Sequence, residues 1–158
     1  MNSGDALTDL SFTVSGRVAR PRREVYEAVA DPAQLSRYFT TGGAHGHLTA
    51  GATVTWEFAD FPGAFPVRVL ESDPPRRLVI EWDGQATAGP AGTTRVTFAF
   101  DALDGDTRTL VTITETSWRP TAAGARAAFD NCEGWTGMLI ALKAWLEHGL
   151  NLREGFYR

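Results

Sequence analysis

Glu115 is the residue of this 158-residue chain whose position most clearly suggests chemistry. Val111 and Ile113 precede it at intervals of two, and strand alternation sends side chains at that spacing to one face of a sheet. A carboxylate on the apolar face, at the mouth of a cavity and without a partner, could act as an acid, a base or a ligand anchor. The commoner outcome is that the strand ends, the register slips, and Glu115 pairs with an arginine at the surface.

Large apolar side chains recur at strand spacing and along one face of the C-terminal segment, and they outline a candidate ligand-binding set. Buried tryptophans pack imperfectly and carry one N–H each that needs a partner. The alternative is that the same residues fill an ordinary core at crystal-like density, and periodicity does not distinguish the two. Tyr38, on the second predicted helix, could offer its hydroxyl to the pocket. The set is Tyr38, Trp56, Phe58, Phe65, Val67, Ile80, Trp82, Phe98, Phe100, Ile113, Glu115, Trp135, Met138, Leu139 and Leu142.

His45 and His47 are the remaining pair with metal-binding residue types. A catalytic zinc needs a third ligand, and nothing in the sequence brings His148 near them. Their surroundings, TTGGAHGHLTAG at 40–51, are rich in Gly and Thr and predict a loop that could gate a pocket. Phosphate-loop, dinucleotide, nucleophile-elbow and zincin motifs are absent. We therefore expect neither a metal nor a cofactor.

Composition narrows the remaining classes of function. The formal net charge of -4 provides no basic surface, so a nucleic-acid partner is not expected. A single cysteine excludes an intramolecular disulfide. Lys143 and Glu147 interrupt the best apolar run, so no membrane span is predicted, and the absence of a secretory signal predicts a cytoplasmic protein. The chain shows no repeat or linker, which predicts one domain over 1–158.

Hydrophobic periodicity predicts the elements that must position these residues. Period-two alternation indicates strands, and spacing of three or four indicates helices. The predicted strands are 11–18, 53–58, 65–70, 78–83, 95–100 and 108–118, and the predicted helices are 22–31, 32–39 and a long one from about Thr121. FPGA at 61–64, SDPP at 72–75 and DALDGD at 101–106 are predicted turns. This order predicts an α+β fold in which an antiparallel sheet curls around the last helix.

Five segments in this order resemble a known superfamily. They are SFTVSGRVARPRREVYEAVADPAQLSRYF, AGATVTWEF, DPPRRLVIEWDG, TRVTFAFDALDGDTRTLVTITETSW and NCEGWTGMLIALKAWL. The chain resembles the START-like (SRPBCC) helix-grip superfamily over roughly Phe12 to Gly149, and specifically its activator of heat-shock protein ninety ATPase homologue-like branch. The resemblance implies about seven antiparallel strands gripping a long C-terminal helix, with a hydrophobic cavity between them.

The resemblance leaves three functions open. The first is binding of a small hydrophobic or aromatic molecule in the cavity, and the second is a cyclase or hydrolase using Glu115 as acid/base. Binding is favoured over catalysis because only one inward polar group has a geometric argument. The third is a co-chaperone-like interaction module, but the full-length co-chaperone carries an additional domain, so a chaperone partner is not expected. Phe156 and Tyr157 in the tail could pack on a second copy, forming a homodimer, or fold back on the sheet.

Overall fold

A seven-stranded antiparallel sheet and three helices make up the protein in a computed structural model, which describes Gly4 and residues 6–158. Neighbouring strands run in the order β1-β7-β6-β5-β4-β3-β2. The elements along the chain are β1 (Phe12–Val18), α1 (Arg22–Ala30), α2 (Pro32–Tyr38), β2 (Gly43–His45), β3 (Thr53–Phe58), β4 (Phe61–Asp73), β5 (Arg77–Asp83), β6 (Thr93–Leu103), β7 (Arg108–Thr116) and α3 (Ala122–His148). The predicted α+β helix-grip fold is confirmed.

The long helix α3 begins and ends at residues suited to those positions. The Thr121 side chain accepts a hydrogen bond from the Gly124 N–H at 3.1 Å, and Gly149 adopts the left-handed conformation at the C-terminus with φ 68°. Between these caps, the face bearing Trp135, Met138 and Leu142 is buried in the core that the sheet supplies. No helix within the described part of the chain is both long and apolar enough to cross a bilayer.

The alternation predicted for β6 and β7 is confirmed residue by residue. In β7 the side chains of Thr109, Val111, Ile113 and Glu115 are buried, and the intervening residues are partly exposed. This parity persists to the end of the strand because β7 is paired on both sides, with β1 and with β6. A central strand offers no freedom for a slip in register, so Glu115 is carried into the interior.

Three predicted loop or turn segments contain strand residues; in 101–106 these are residues 101–103, the end of β6. The segment 40–51 contains the short strand β2, which pairs with β3 through Ala44 and Trp56 and has too few apolar side chains to show a period. The segment 61–64 is not a turn but the start of β4, since Phe61 already pairs with Phe58. β4 pairs with β5 only from Val67 onward, so proline at 62 lies in an edge segment where its missing N–H removes no ladder hydrogen bond.

Gly124 and Gly134 of α3 provide a matched test of how closely the start of the helix packs against the preceding segment. A Cβ at Gly124 would lie 1.8 Å from the backbone oxygen of Arg119, whereas a Cβ at Gly134 meets no heavy atom within 4 Å. Gly124→Ala should therefore lower the free energy of unfolding by about 1–3 kcal/mol through overpacking. Gly134→Ala should raise it by about 0.5–1 kcal/mol through helix propensity. Urea unfolding followed by circular dichroism measures both, and equal effects would contradict the close approach at Gly124.

Candidate functional site

Glu115 lies at the centre of a buried polar cluster. Its side chain is 0% exposed, and its oxygens accept five hydrogen bonds from four side chains. The indole N–H groups of Trp82 and Trp135 donate at 2.9 and 2.8 Å, and the Thr94 hydroxyl donates at 2.6 Å. The Asn131 amide nitrogen lies 3.1 Å from both oxygens. Among the described residues, no Lys, Arg or His pairs with this carboxylate.

Strand register and helix spacing bring the four donors together. Trp82 of β5 lies opposite Thr94 of β6, and Val96, two residues further along β6, lies opposite Glu115. All of these positions share the inner face of the sheet. On α3, Asn131 and Trp135 are four residues apart and therefore lie on one face of the helix. The cluster thus joins three adjacent strands to α3 through one side chain.

The two indoles that donate to Glu115 belong to a continuous set of aromatic rings. Trp135 stacks on Phe39 with ring centroids 5.5 Å apart, and its centroid lies 5.3 Å from that of Trp82. Trp82 in turn contacts Phe65 edge-on at 5.8 Å, and Phe39 contacts Phe58 edge-on at 5.0 Å. Because Glu115 fixes both indole N–H groups, it fixes the orientation of the rings at the centre of this set.

Two pockets open where these rings reach the surface. The first, called here the aromatic pocket, has a volume of about 400 Å³. The second has a volume of about 380 Å³ and shares Phe58, Trp82, Asp130 and Asn131 with the first. Both volumes lie within the range of small-molecule sites, roughly 300–1,000 Å³. The aromatic pocket is lined by Phe39, Phe58, Phe61, Trp82, Asp130, Asn131, Glu133, Gly134, Trp135, Arg153 and Tyr157.

The C-terminal tail after α3 forms one side of the aromatic pocket. Arg153, only 7% exposed, donates to both oxygens of Asp60 at 2.6 and 2.9 Å. Its guanidinium also lies over the rings of Phe58 and Tyr157, at 5.3 and 4.7 Å from their centroids. The ion pair holds the tail against the β3–β4 turn, and Tyr157 lies against Phe61 of β4. The tail therefore folds back on the sheet, as one of the two predicted alternatives has it.

Tyr157 lines the aromatic pocket, but its hydroxyl lies toward Gly137 of α3, which does not line that pocket. Its hydroxyl is buried and has no hydrogen-bond partner among the described residues. Burial, and secondarily the carboxylate of Glu133, raise the pKa of the Tyr157 phenol, while Arg153 opposes that shift. The hydroxyl is therefore neutral near pH 7.

The predicted ligand-binding residues divide into three groups. Phe58, Trp82 and Trp135 line the aromatic pocket, and Phe65 lines the second pocket together with Phe58 and Trp82. Glu115 lies behind the wall that Trp82 and Trp135 form, so the predicted alternative of a surface ion pair with arginine is wrong. The others are packed in the core and line neither pocket, so their ligand-binding role stays a prediction: Tyr38, Trp56, Val67, Ile80, Phe98, Phe100, Ile113, Met138, Leu139 and Leu142.

Two other candidates are placed away from the pockets. The Tyr38 hydroxyl is buried in the core, where it donates to the Ala28 carbonyl at 2.9 Å, and burial raises its pKa well above the ordinary value. The His47 ring lies 3.3 Å from a carboxylate oxygen of Glu27 at the surface. Within the described residues, no group of three or more His, Cys, Asp or Glu side chains is arranged to hold a metal ion.

Several residues of the site were not predicted. Thr94 and Asn131 carried usable signals, because Thr94 is two residues before Val96 in β6 and Asn131 is four residues before Trp135 in α3. Parity and helical spacing would have placed both inward. Arg153 lies in an irregular segment, where no periodicity connects it with its partner Asp60.

Comparisons with known proteins support one family. The family model described as "Activator of Hsp90 ATPase homolog 1-like protein" matches residues 19–147. No curated protein matches the sequence. Among solved structures, protein SSP2350 from Staphylococcus saprophyticus is 22% identical with a TM-score of 0.75, and the match covers 91% of this chain and 96% of that one.

Two further structures are similar at the level of the fold. CalU16 from Micromonospora echinospora is 22% identical, and the match covers 91% of this chain and 78% of that chain with a TM-score of 0.68. The Aha1 dimer from Colwellia psychrerythraea is 20% identical, with 89% and 98% covered and a TM-score of 0.70. At these identities the likeness establishes the helix-grip fold of the chain.

Replacing Glu115 should destabilise the protein strongly. Glu115→Gln substitutes an amide N–H₂ for one oxygen and leaves buried indole or hydroxyl donors unpaired, at about 1–3 kcal/mol per group. We expect the free energy of unfolding to fall by about 2–5 kcal/mol in urea titrations. Glu81→Gln makes the same chemical change in a partly exposed ion pair with Arg68 and should cost about 1 kcal/mol or less. Similar losses in both variants would contradict the buried cluster.

The Arg153–Asp60 pair should make stability depend on acid pH. The hydrogen bonds from Arg153 lower the pKa of the Asp60 carboxyl below its ordinary value of 3.8, although burial opposes the shift. Because the unfolded chain takes up this proton at higher pH than the folded one, the pair stabilises the protein above about pH 4, and this contribution is lost as the pH falls through the lower folded value.

Asp60→Asn isolates that contribution. At pH 7 we expect it to lower the free energy of unfolding by about 2–4 kcal/mol, because it leaves the Arg153 charge buried without a counter-ion. The difference from wild type should shrink below about pH 4. Asp104→Asn removes an exposed pair with Arg108 and should cost at most about 1 kcal/mol. A difference between wild type and Asp60→Asn that is constant with pH would contradict the assignment.

Proposed function

We propose that this chain, which belongs to the family of Activator of Hsp90 ATPase homolog 1-like proteins, binds a small apolar or aromatic molecule in the aromatic pocket. The observation that carries the proposal is a cavity of about 400 Å³ whose wall includes two indole rings, Trp82 and Trp135, held by a buried carboxylate. Preorganised rings keep their orientation when a ligand arrives, so less side-chain entropy is lost on binding.

Aromatic rings form most of the apolar wall of the pocket, and its polar side chains are Asp130, Asn131, Glu133, Arg153 and Tyr157. The Asn131 side chain lines both pockets while its amide is held by Glu115. The Tyr157 hydroxyl is the buried polar atom without a partner among the described residues that line the aromatic pocket.

The hydrogen bonds of Glu115 favour binding over catalysis. A general acid or base must lie within hydrogen-bond reach of the substrate proton that it moves. Glu115 has no exposed surface, and its five hydrogen bonds all go to protein donors, so its oxygens are occupied behind the wall of the pocket. We therefore assign Glu115 a positioning role for Trp82 and Trp135 and give the cyclase or hydrolase alternative second place.

Native mass spectrometry of the protein purified from its own host tests the proposal directly. We expect an added mass that is released on denaturation, which identifies the ligand. In a parallel experiment, flavonoids, fatty acids and polyketides are titrated against the ligand-free protein while tryptophan fluorescence is recorded. Because Trp82 and Trp135 line the pocket, a bound aromatic molecule should quench their emission. The proposal is wrong if no added mass is found and no compound changes the tryptophan fluorescence.

Gly134→Leu should block binding without disturbing the fold. Gly134 lines the aromatic pocket and has open space where a side chain would project, so leucine fills the cavity rather than the core. We expect affinity for a responding compound to fall by at least about tenfold. Gly89→Leu, also at a position with open space but lining neither pocket, is the matched control and should bind as wild type does. Unchanged binding in Gly134→Leu would place the ligand elsewhere.

A further inference from the structure

We propose that the aromatic pocket selects organic cations, such as protonated amines attached to an apolar or aromatic body, over neutral and anionic molecules of the same shape. The inference rests on the proposed function and adds the charge of the ligand to it. It is carried by the charge balance of the pocket, by the hydrogen bonds of its indoles, and by a cation–ring arrangement that the protein already contains.

The charged side chains that line the two pockets are predominantly acidic. Asp130 and Glu133 line the aromatic pocket, and Asp83 lines the second one beside Asp130. In the described part of the chain these three carboxylates form neither ion pairs nor side-chain hydrogen bonds. The one cation in the lining is Arg153, and its charge is balanced by the two hydrogen bonds to Asp60. An excess of negative charge therefore faces the cavity.

Two further groups bear on this balance. Glu115 adds a buried carboxylate directly behind the wall, without a cationic partner among the described residues. Arg158 contributes a positive charge that offsets these carboxylates, and its guanidinium lies 4.5 Å from the centroid of Phe61 at the rim of the pocket. Arg158 is exposed, as are Asp83, Asp130 and Glu133, so solvent screens all four charges, whereas Glu115 is buried.

The hydrogen bonds to Glu115 make the indoles better partners for a cation. Tryptophan is the aromatic side chain that attracts cations most strongly. When an indole N–H donates to a carboxylate, as those of Trp82 and Trp135 do, the negative charge raises the electron density of the ring. The same bonds keep each N–H turned away from the cavity toward Glu115. An ammonium group in the pocket is therefore attracted by the rings and by the carboxylates.

The protein itself already holds a cation against rings of this pocket. The Arg153 guanidinium lies over Phe58 and Tyr157, both of which line the cavity, while Trp82 and Trp135 have no cationic partner among the described residues. A ligand ammonium would occupy the equivalent position next to the partly exposed ring of Trp82, because Trp135 is 2% exposed and packs against Phe39 and Trp82.

Three compounds with one skeleton and different charges test the inference: 4-phenylbutylamine, 4-phenylbutanol and 4-phenylbutyrate. Their affinities for the full chain are measured by tryptophan fluorescence and calorimetry. We expect the amine to bind about tenfold more tightly than the alcohol, and the carboxylate most weakly, because a desolvated cation–ring contact and nearby carboxylates favour only the cation. The preference for the amine should decrease with added salt.

Variants identify the groups responsible. The double variant Asp130→Asn, Glu133→Gln changes exposed side chains on α3 and should fold normally. It should weaken amine binding about three- to tenfold and change alcohol binding by a smaller factor. Asp101→Asn removes one negative charge from an exposed position toward the opposite end of β6, far from the pocket, and should leave both affinities unchanged.

The outcomes separate the two proposals. If the alcohol binds as tightly as the amine or more tightly, and Gly134→Leu abolishes its binding, the cation preference is wrong and the proposed function stands. Equal loss of amine affinity in Asp101→Asn and in the double variant also overturns the cation preference. If the amine does not bind but a neutral compound among the flavonoids and polyketides does, the cation preference is wrong and the proposed function stands. If no compound binds and no retained mass is found, both proposals fail.

Discussion

A buried carboxylate that pairs with no cation in the part of the chain that the structure describes constrains the rest of this structure. Removing a charge from water is costly unless hydrogen bonds replace the lost solvation. Glu115 receives five such bonds, and the donors come from β5, β6 and α3. Each donor must keep its position for the carboxylate to remain solvated by the protein. The helix and the sheet are therefore held in one relative arrangement by directional bonds as well as by apolar contact, which is non-directional.

A second buried charged group, Arg153, lies at the same pocket. Arg153 pairs with Asp60 and lies over Phe58 and Tyr157, so the tail is attached to the β3–β4 turn. Glu115 orients the two indoles on one side of the aromatic pocket, and Arg153 orients the tail on the other side. The pocket thus lies where aromatic rings are oriented by polar contacts. Elsewhere along α3, side chains such as Met138 and Leu142 fill the space against the sheet.

Sequence periodicity predicted which face each side chain occupies but not where along the sheet the core ends. The parity of Val111 and Ile113 placed Glu115 inward, and helical spacing placed Trp135 on the buried face of α3. Phe100 and Trp82 both have inward parity, yet Phe100 is in the filled core and Trp82 lines the pocket. The difference depends on which positions α3 and the tail cover, and this is a long-range property. The tail has no period from which the Arg153–Asp60 pair could be predicted.

The cluster around Glu115 is informative about function because stability alone does not require it. Replacing buried ionic groups by well-packed apolar residues is often neutral or stabilising. A core closed with leucine or phenylalanine at positions 82, 115 and 135 would need no donors and no carboxylate. This arrangement instead fixes two indoles at the edge of a cavity, and the carboxylate that fixes them also adds negative charge behind their rings. Besides holding the helix to the sheet, both features would act on a molecule in the cavity, so the cluster adds to the support that the volume of the pocket gives to the proposed binding site.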